Sequence, residues 1–134
     1  MPSEANPADQ RPRILLAEDD ALTARLIVHR LEREGYEVFH CENGQQALDS
    51  AQEPDSRPYS LAILDVKMPR MDGFELLGRM KEDPRLASIP VVMLTGMGTE
   101  QDVVRALSGG ADDYILKPFS PTELALRVQR LLAR

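Results

Sequence analysis

Short apolar runs recur along the chain, and most of them break off at a polar or charged residue. Arg13-Ile14-Leu15-Leu16-Ala17 stops at Glu18-Asp19-Asp20, Leu61 to Leu64 at Asp65, Val91 to Leu94 at Thr95-Gly96, and Tyr114 to Leu116 at Lys117-Pro118. Tyr36 to Cys41 is a fifth, more mixed run. Each has strand length. Helical periodicity fills the intervals. Ala24, Ile27, Val28 and Leu31 stand at i, i+3, i+4 and i+7, with Gly35 placed to end that helix. Asn43-Gly44 opens a helix through Ala47, Leu48 and Ala51 that Pro54 ends, and residues 55–58 form a loop. Asp72-Gly73 caps a helix through Phe74 and Leu77 to about Glu82. A short helix near Glu100–Leu107 halts at Gly109-Gly110. The last helix has Ser120 as N-cap, Pro121 at its first position and Glu123 to complete a capping box. Its apolar face is Leu124, Val128, Leu131 and Leu132.

Strands that alternate with helices, most of them apolar throughout, predict an α/β protein, with a five-stranded parallel sheet covered by helices on both faces. The predicted strand order is 2-1-3-4-5, doubly wound, with five helices. In such sheets ligands bind at the carboxyl ends of the strands, beside the point where the order reverses. Glu18-Asp19, Asp65, Thr95 and Lys117 all fall at those ends, and the first and third strands straddle the switch point. His40-Cys41-Glu42, at the end of the second strand, contributes nothing obvious.

With 134 residues the chain has room for one domain with one sizeable core. Met1 to Pro12, polar and Pro-rich, reads as a disordered leader, which leaves residues 13–134 for the domain. The leader lacks the pattern of a signal peptide, and no apolar run approaches the roughly 20 residues that span a bilayer. The single Cys41 excludes an internal disulfide and is expected to be a half-buried, unreactive residue. A cytoplasmic protein is expected. The net charge of −6 argues against direct nucleic-acid binding by this domain.

Carboxylates converging at one crevice repel each other unless a cation joins them. An oxygen-rich site built from Glu18, Asp19 and Asp65 suits Mg²⁺. Lys117 adds a positive charge from the far side, Thr95 a hydroxyl, and Gly96 an unobstructed backbone N–H. Acids, metal, lysine and small donors around a central carboxylate describe a phosphoryl-transfer site, with Asp65 as the nucleophile that becomes an aspartyl phosphate.

With those residues in view, the chain resembles the response-regulator receiver domains of bacterial two-component signalling, the CheY-like superfamily, over Arg13 to Leu132. The motifs that carry the resemblance are Glu18-Asp19, Asp65-x-x-Met68-Pro69-x-Met71-Asp72-Gly73, Thr95-Gly96 and Lys117-Pro118-Phe119. It implies a flavodoxin-like fold and a phosphorylation-dependent switch rather than an enzyme acting on a separate substrate. Asp65 would accept a phosphoryl group from a histidine kinase or phosphotransfer protein. Asp19, Asp65 and the backbone carbonyl of Lys67 would ligate Mg²⁺, with Glu18 holding it through water. Lys117, in a cis bond to Pro118, would bind the phosphoryl group, along with Thr95 and the Gly96 N–H. Thr95 and Tyr114 would form the switch, and Lys67 and Met97 would tune phosphoryl lifetime. The face of the fourth helix, fifth strand and fifth helix would carry output. It would also serve for homodimerisation, with Glu123 and Arg127 at positions that pair across a dimer in the transcription-factor branch. Val103 departs from that branch's basic residue. Glu18 stands where Asp is commoner.

Two other classes fit less well. An aspartyl-nucleophile phosphatase would carry a second Asp two residues after the first, where this chain has Lys67, and a substrate cap for which no residues are spare. A flavin module would need a phosphate-binding loop after the first strand, where Glu18-Asp19-Asp20 would repel it. His29 and His40 are expected to be ordinary surface or half-buried side chains, and Arg127, Arg130 and Arg134 to favour the dipole of the last helix.

Overall fold

The computed structural model describes residues 11–54, 57–96 and 98–133. Met97, Arg134 and nearly all of the expected leader therefore lie outside the described residues. Strands and helices alternate as β1 Arg13–Ala17, α1 Ala21–Arg33, β2 Glu37–Cys41, α2 Gly44–Ala51 and β3 Leu61–Asp65. They continue as α3 Gly73–Glu82, β4 Val91–Thr95, α4 Glu100–Ser108, β5 Asp113–Leu116 and α5 Pro121–Leu132. All strand pairs are parallel, in the order β2-β1-β3-β4-β5. With helices on both faces this is the doubly wound, flavodoxin-like arrangement.

The two faces explain why the sequence shows no alternation in most strands. Leu15, Ala17, Ala62, Leu64, Val91 and Met93 point toward α2, α3 and α4, where they meet Leu48, Leu76, Leu77, Met80 and Ala106. Their neighbours Ile14, Leu16, Leu61, Ile63, Val92 and Leu94 point toward α1 and α5, onto Ala24, Ile27, Leu31, Leu124 and Val128. Successive side chains leave a strand on opposite faces, so a sheet buried on both needs an apolar residue at every step. The outer strand β2 is covered less completely, and its Phe39 and His40 are exposed.

Each helix starts on a side chain that satisfies an otherwise orphan N–H: Asp20 for α1, Asn43 for α2, Asp72 for α3, Thr99 for α4 and Ser120 for α5. The second strand begins one residue later than the sequence suggests. Tyr36 donates its N–H back to the Leu31 carbonyl, closing α1 through Gly35 at φ 96°. The third and fourth strands run one residue further, because Asp65 stays in register opposite Leu94 and Thr95 opposite Leu116. Beyond β3 the chain turns sharply. Arg70 has φ 71°, a left-handed conformation uncommon for a side-chain-bearing residue, and the Gly73 N–H returns to the Val66 carbonyl at 2.8 Å. A Cβ on Gly73 would fall well inside contact distance of the Asp65 carbonyl oxygen, so only glycine lets α3 start against the end of β3.

Candidate functional site

The carboxyl ends of β1, β3, β4 and β5 meet at a cleft of about 370 Å³, and the residues expected there meet in it. Glu18 is the first residue past β1 and is fully buried. Its Oε2 accepts the Asp20 N–H at 3.1 Å, and its Oε1 lies 2.8 Å from Lys117 Nζ. Beyond that ion pair, Oε1 has no well-aligned hydrogen-bond donor among the described residues. Asp65, the last residue of β3, is 4% exposed, with Oδ1 3.3 Å from the same ammonium. Asp19 is exposed at the mouth. One oxygen from each of Glu18, Asp19 and Asp65 lies within 4.8 Å of the others.

Lys117 reaches this position because β5 ends one residue earlier. Its N–H donates to the Thr95 carbonyl at 2.8 Å, and its peptide bond to Pro118 is cis. Thr95 is buried at the end of β4, whereas Gly96 and Lys67 are exposed on the cleft wall. Tyr114 is half-buried and hydrogen-bonded to the Thr95 side chain, so the two residues expected to form a switch are in contact. Met97 lies outside the described residues.

Charge in the cleft is unbalanced. Burial, then the hydrogen bond and negative charge of Glu18, push the Asp65 carboxyl up to about 7 despite the opposing pull of Lys117. Burial alone would lower the Lys117 ammonium. Its hydrogen bond to Glu18 and the charges of Asp65 and Glu18 outweigh that and raise it. One ammonium thus faces two buried acids, with a third beside them. A hard divalent cation fits this set: the donors are all oxygen, one buried carboxylate oxygen is short of donors, and the mouth is open to water.

Several expectations need correction. Cys41 is fully buried rather than half-buried, and burial pushes its thiol up to about 11, which leaves it inert. Arg127 does more than favour the α5 dipole: it donates to Asp113 on β5 at 2.6 Å and to Glu123 at 3.1 Å, within one chain. His40 is exposed, as expected of a surface side chain, yet it touches the site: its Nε2 lies 2.7 Å from the Glu18 carbonyl oxygen. Its position near the end of β2, beside the strand that leads into the acid pair, was the available signal. Asp20 also lines the cleft, but its carboxylate is occupied by Thr23, whose hydrogen bonds hold its pKa below the usual range.

Comparison with known proteins gives one consistent result. The profile of the response regulator receiver domain matches residues 14–129. The transcriptional regulatory protein SrrA of Staphylococcus aureus is 40% identical over 121 residues, which cover 90% of this chain and 48% of that protein. The chain thus spans about half the length of the curated relatives it matches. The signal receiver domain of a signal transduction histidine kinase from Syntrophus aciditrophicus is similar in structure with a TM-score of 0.82 and 43% identity, over 91% of this chain and 90% of that one. The receiver domain of a sensor histidine kinase from Pseudomonas aeruginosa superposes with a TM-score of 0.83 at 28% identity, over 92% of this chain and 99% of that one. That structure has a magnesium ion coordinated in its active-site cleft.

Proposed function

The chain belongs to the response regulator receiver domain family, and on that premise we propose that residues 13–134 form a phosphoacceptor switch in which Asp65 takes a phosphoryl group from a histidine kinase or phosphotransfer protein. The observation that carries this reading is the placement of Lys117 between Glu18 and Asp65, with the Asp65 carboxylate at the floor of an open acidic cleft. An Asp65 oxygen attacks phosphorus in line with the phosphohistidine P–N bond. The imidazole leaves with the bonding pair, which a proton from water then takes up. The attacking carboxylate must be ionised, and both Lys117 and a bound cation favour that form. Glu18, Asp19, Asp65 and the Lys67 carbonyl are the groups that would hold Mg²⁺. When bound, Mg²⁺ supplies positive charge against the phosphoryl oxygens.

The chain's own residues do the rest. Lys117 meets a phosphoryl oxygen, and the Thr95 hydroxyl and Gly96 N–H receive the others as they gain charge. Drawing Thr95 toward the phosphoryl group breaks its hydrogen bond to Tyr114, which couples the site to β5 and its flanking helices. Val104 and Leu107 on α4 and Leu116 on β5 are each about half exposed, which supports an output or homodimer surface there. A dimer paired through Glu123 and Arg127 would exchange the contacts Arg127 makes within one chain. The domain binds no nucleic acid itself and works in the cytoplasm; no helix among the described residues is long and apolar enough to cross a membrane. It catalyses only its own phosphorylation and dephosphorylation.

The test uses acetyl phosphate with Mg²⁺, read by intact-protein mass. One phosphoryl group is expected per chain, and none on Asp65→Asn. Continuing turnover of a free phosphomonoester, or label that persists on Ser, Thr or His in Asp65→Asn, would overturn the reading.

A further inference from the structure

The Glu18 backbone is held from β2 in two different ways. Its N–H donates to the Cys41 carbonyl at 3.0 Å, carrying the β1–β2 ladder one step past the last strand residue. Its carbonyl cannot continue that ladder. The chain leaves β2 at Cys41 to enter α2, and the Asn43 N–H, the donor that a parallel ladder would use next, makes no bond to it. Among the described residues no backbone N–H reaches the Glu18 carbonyl. The His40 ring does, with Nε2 2.7 Å from the oxygen.

We propose that His40 is a positioning residue for the acidic cleft: its Nε2–H fixes the Glu18–Asp19 peptide plane and so aims the Asp19 carboxylate at the cation site beside the locked Glu18. A carbonyl only accepts, so the ring must be the donor, and it donates whether neutral with the proton on Nε2 or fully protonated. The peptide unit is rigid, so holding its oxygen also sets its N–H and the direction in which Asp19 leaves it. That matters because the two acids are anchored unequally. The Glu18 carboxylate is locked by burial, Asp20 N–H and Lys117. Asp19 is exposed, and among the described residues no hydrogen bond or ion pair fixes its side chain, so its aim depends on the backbone beneath it. Val38, two residues before His40, packs toward α1, so the imidazole leaves β2 on that same face, at its exposed end. Since His40 is exposed, removing it costs little packing, and its effect is confined to the peptide it holds.

This inference rests on the cation-binding reading above, so the experiment has one arm with metal and one without. Wild type, His40→Leu and His40→Gln are compared by ¹⁵N NMR, Gln keeping an N–H donor at a similar reach. Without metal, the Asp20 amide, which donates to Glu18, should exchange with solvent several-fold faster in His40→Leu and at nearly the wild-type rate in His40→Gln. In Mg²⁺ titrations the Kd of His40→Leu should rise about tenfold, the scale of losing an outer-shell partner, with His40→Gln restoring most of it. Wild-type affinity in His40→Leu, or a His40→Gln variant as weak as His40→Leu, would overturn the proposal. If the wild type itself fails to bind Mg²⁺, the cation-binding reading falls, and the exchange arm still decides: unchanged exchange in His40→Leu refutes the role, and faster exchange rescued by Gln sustains it.

Discussion

Asp65→Asn should make the metal-free protein more stable, and by an amount that grows with pH. In the folded chain burial and Glu18 push the Asp65 carboxyl up to about 7 from its ordinary 3.8. Well below its ordinary 3.8 the group is protonated in both folded and unfolded chains, so it adds no penalty. As the pH rises, the unfolded chain releases the proton while the folded chain retains it, and unfolding becomes progressively easier. The loss is complete once the pH passes the folded value near 7. A rise of that size corresponds to about 4 kcal/mol. An Asn amide in the same site must still find partners, which takes back about 1 kcal/mol. The mutant should therefore gain about 3 kcal/mol on the wild type between about pH 5 and pH 8, on the same linkage. Urea unfolding of both proteins in EDTA across that range measures it, provided m is unchanged. Saturating Mg²⁺ should shrink or reverse the difference, because the ion binds the ionised wild-type site more tightly. A stability difference that stays flat with pH in EDTA would refute the account of Asp65 as a strained buried acid.

Two further outcomes are expected. Gly73→Ala should destabilise the fold by about 2 kcal/mol or more, since the new methyl group collides with the Asp65 carbonyl and either α3 or the end of β3 must shift. It should also weaken phosphorylation by acetyl phosphate, whereas Gly78→Ala, with open space around its added Cβ, should be neutral or stabilising in urea unfolding. Lys67→Asn combined with Met97→Glu should shorten the life of the phosphorylated form about tenfold, equivalent to roughly 1.4 kcal/mol of barrier, by giving an attacking water a side chain to orient it. Decay after donor removal reads this directly, with Mg²⁺ affinity nearly unchanged because the proposed metal site would use only the Lys67 carbonyl.

The doubly wound sheet was legible because it is written in local terms. Leu61 to Leu64 and Val91 to Leu94 are apolar at every step, which only a strand buried on both faces requires. Ser120-Pro121 and Asp72-Gly73 announce helix starts through bonds that span three residues. The membership of the cleft was legible too, since a parallel sheet brings all carboxyl ends to one edge, and Glu18, Asp19, Asp65, Thr95 and Lys117 occupy those ends. Which atoms meet there was decided by tertiary structure. Nothing local says that Lys117 Nζ lies closer to Glu18 than to Asp65, or that Glu18 is sealed while Asp19 stands in solvent. Arg127 found Asp113 because α5 folds back over β5, a contact between residues 14 apart in sequence that depends on the crossing of two elements. His40 is the clearest case. As one residue in a mixed, half-exposed strand it carried no periodicity, and it bears on the site only because the chain leaves β2 before any backbone N–H among the described residues reaches the Glu18 carbonyl. Periodicity and capping propagate along the chain and can be read from it, whereas the satisfaction of one buried polar group depends on whichever neighbour the packed sheet brings within reach.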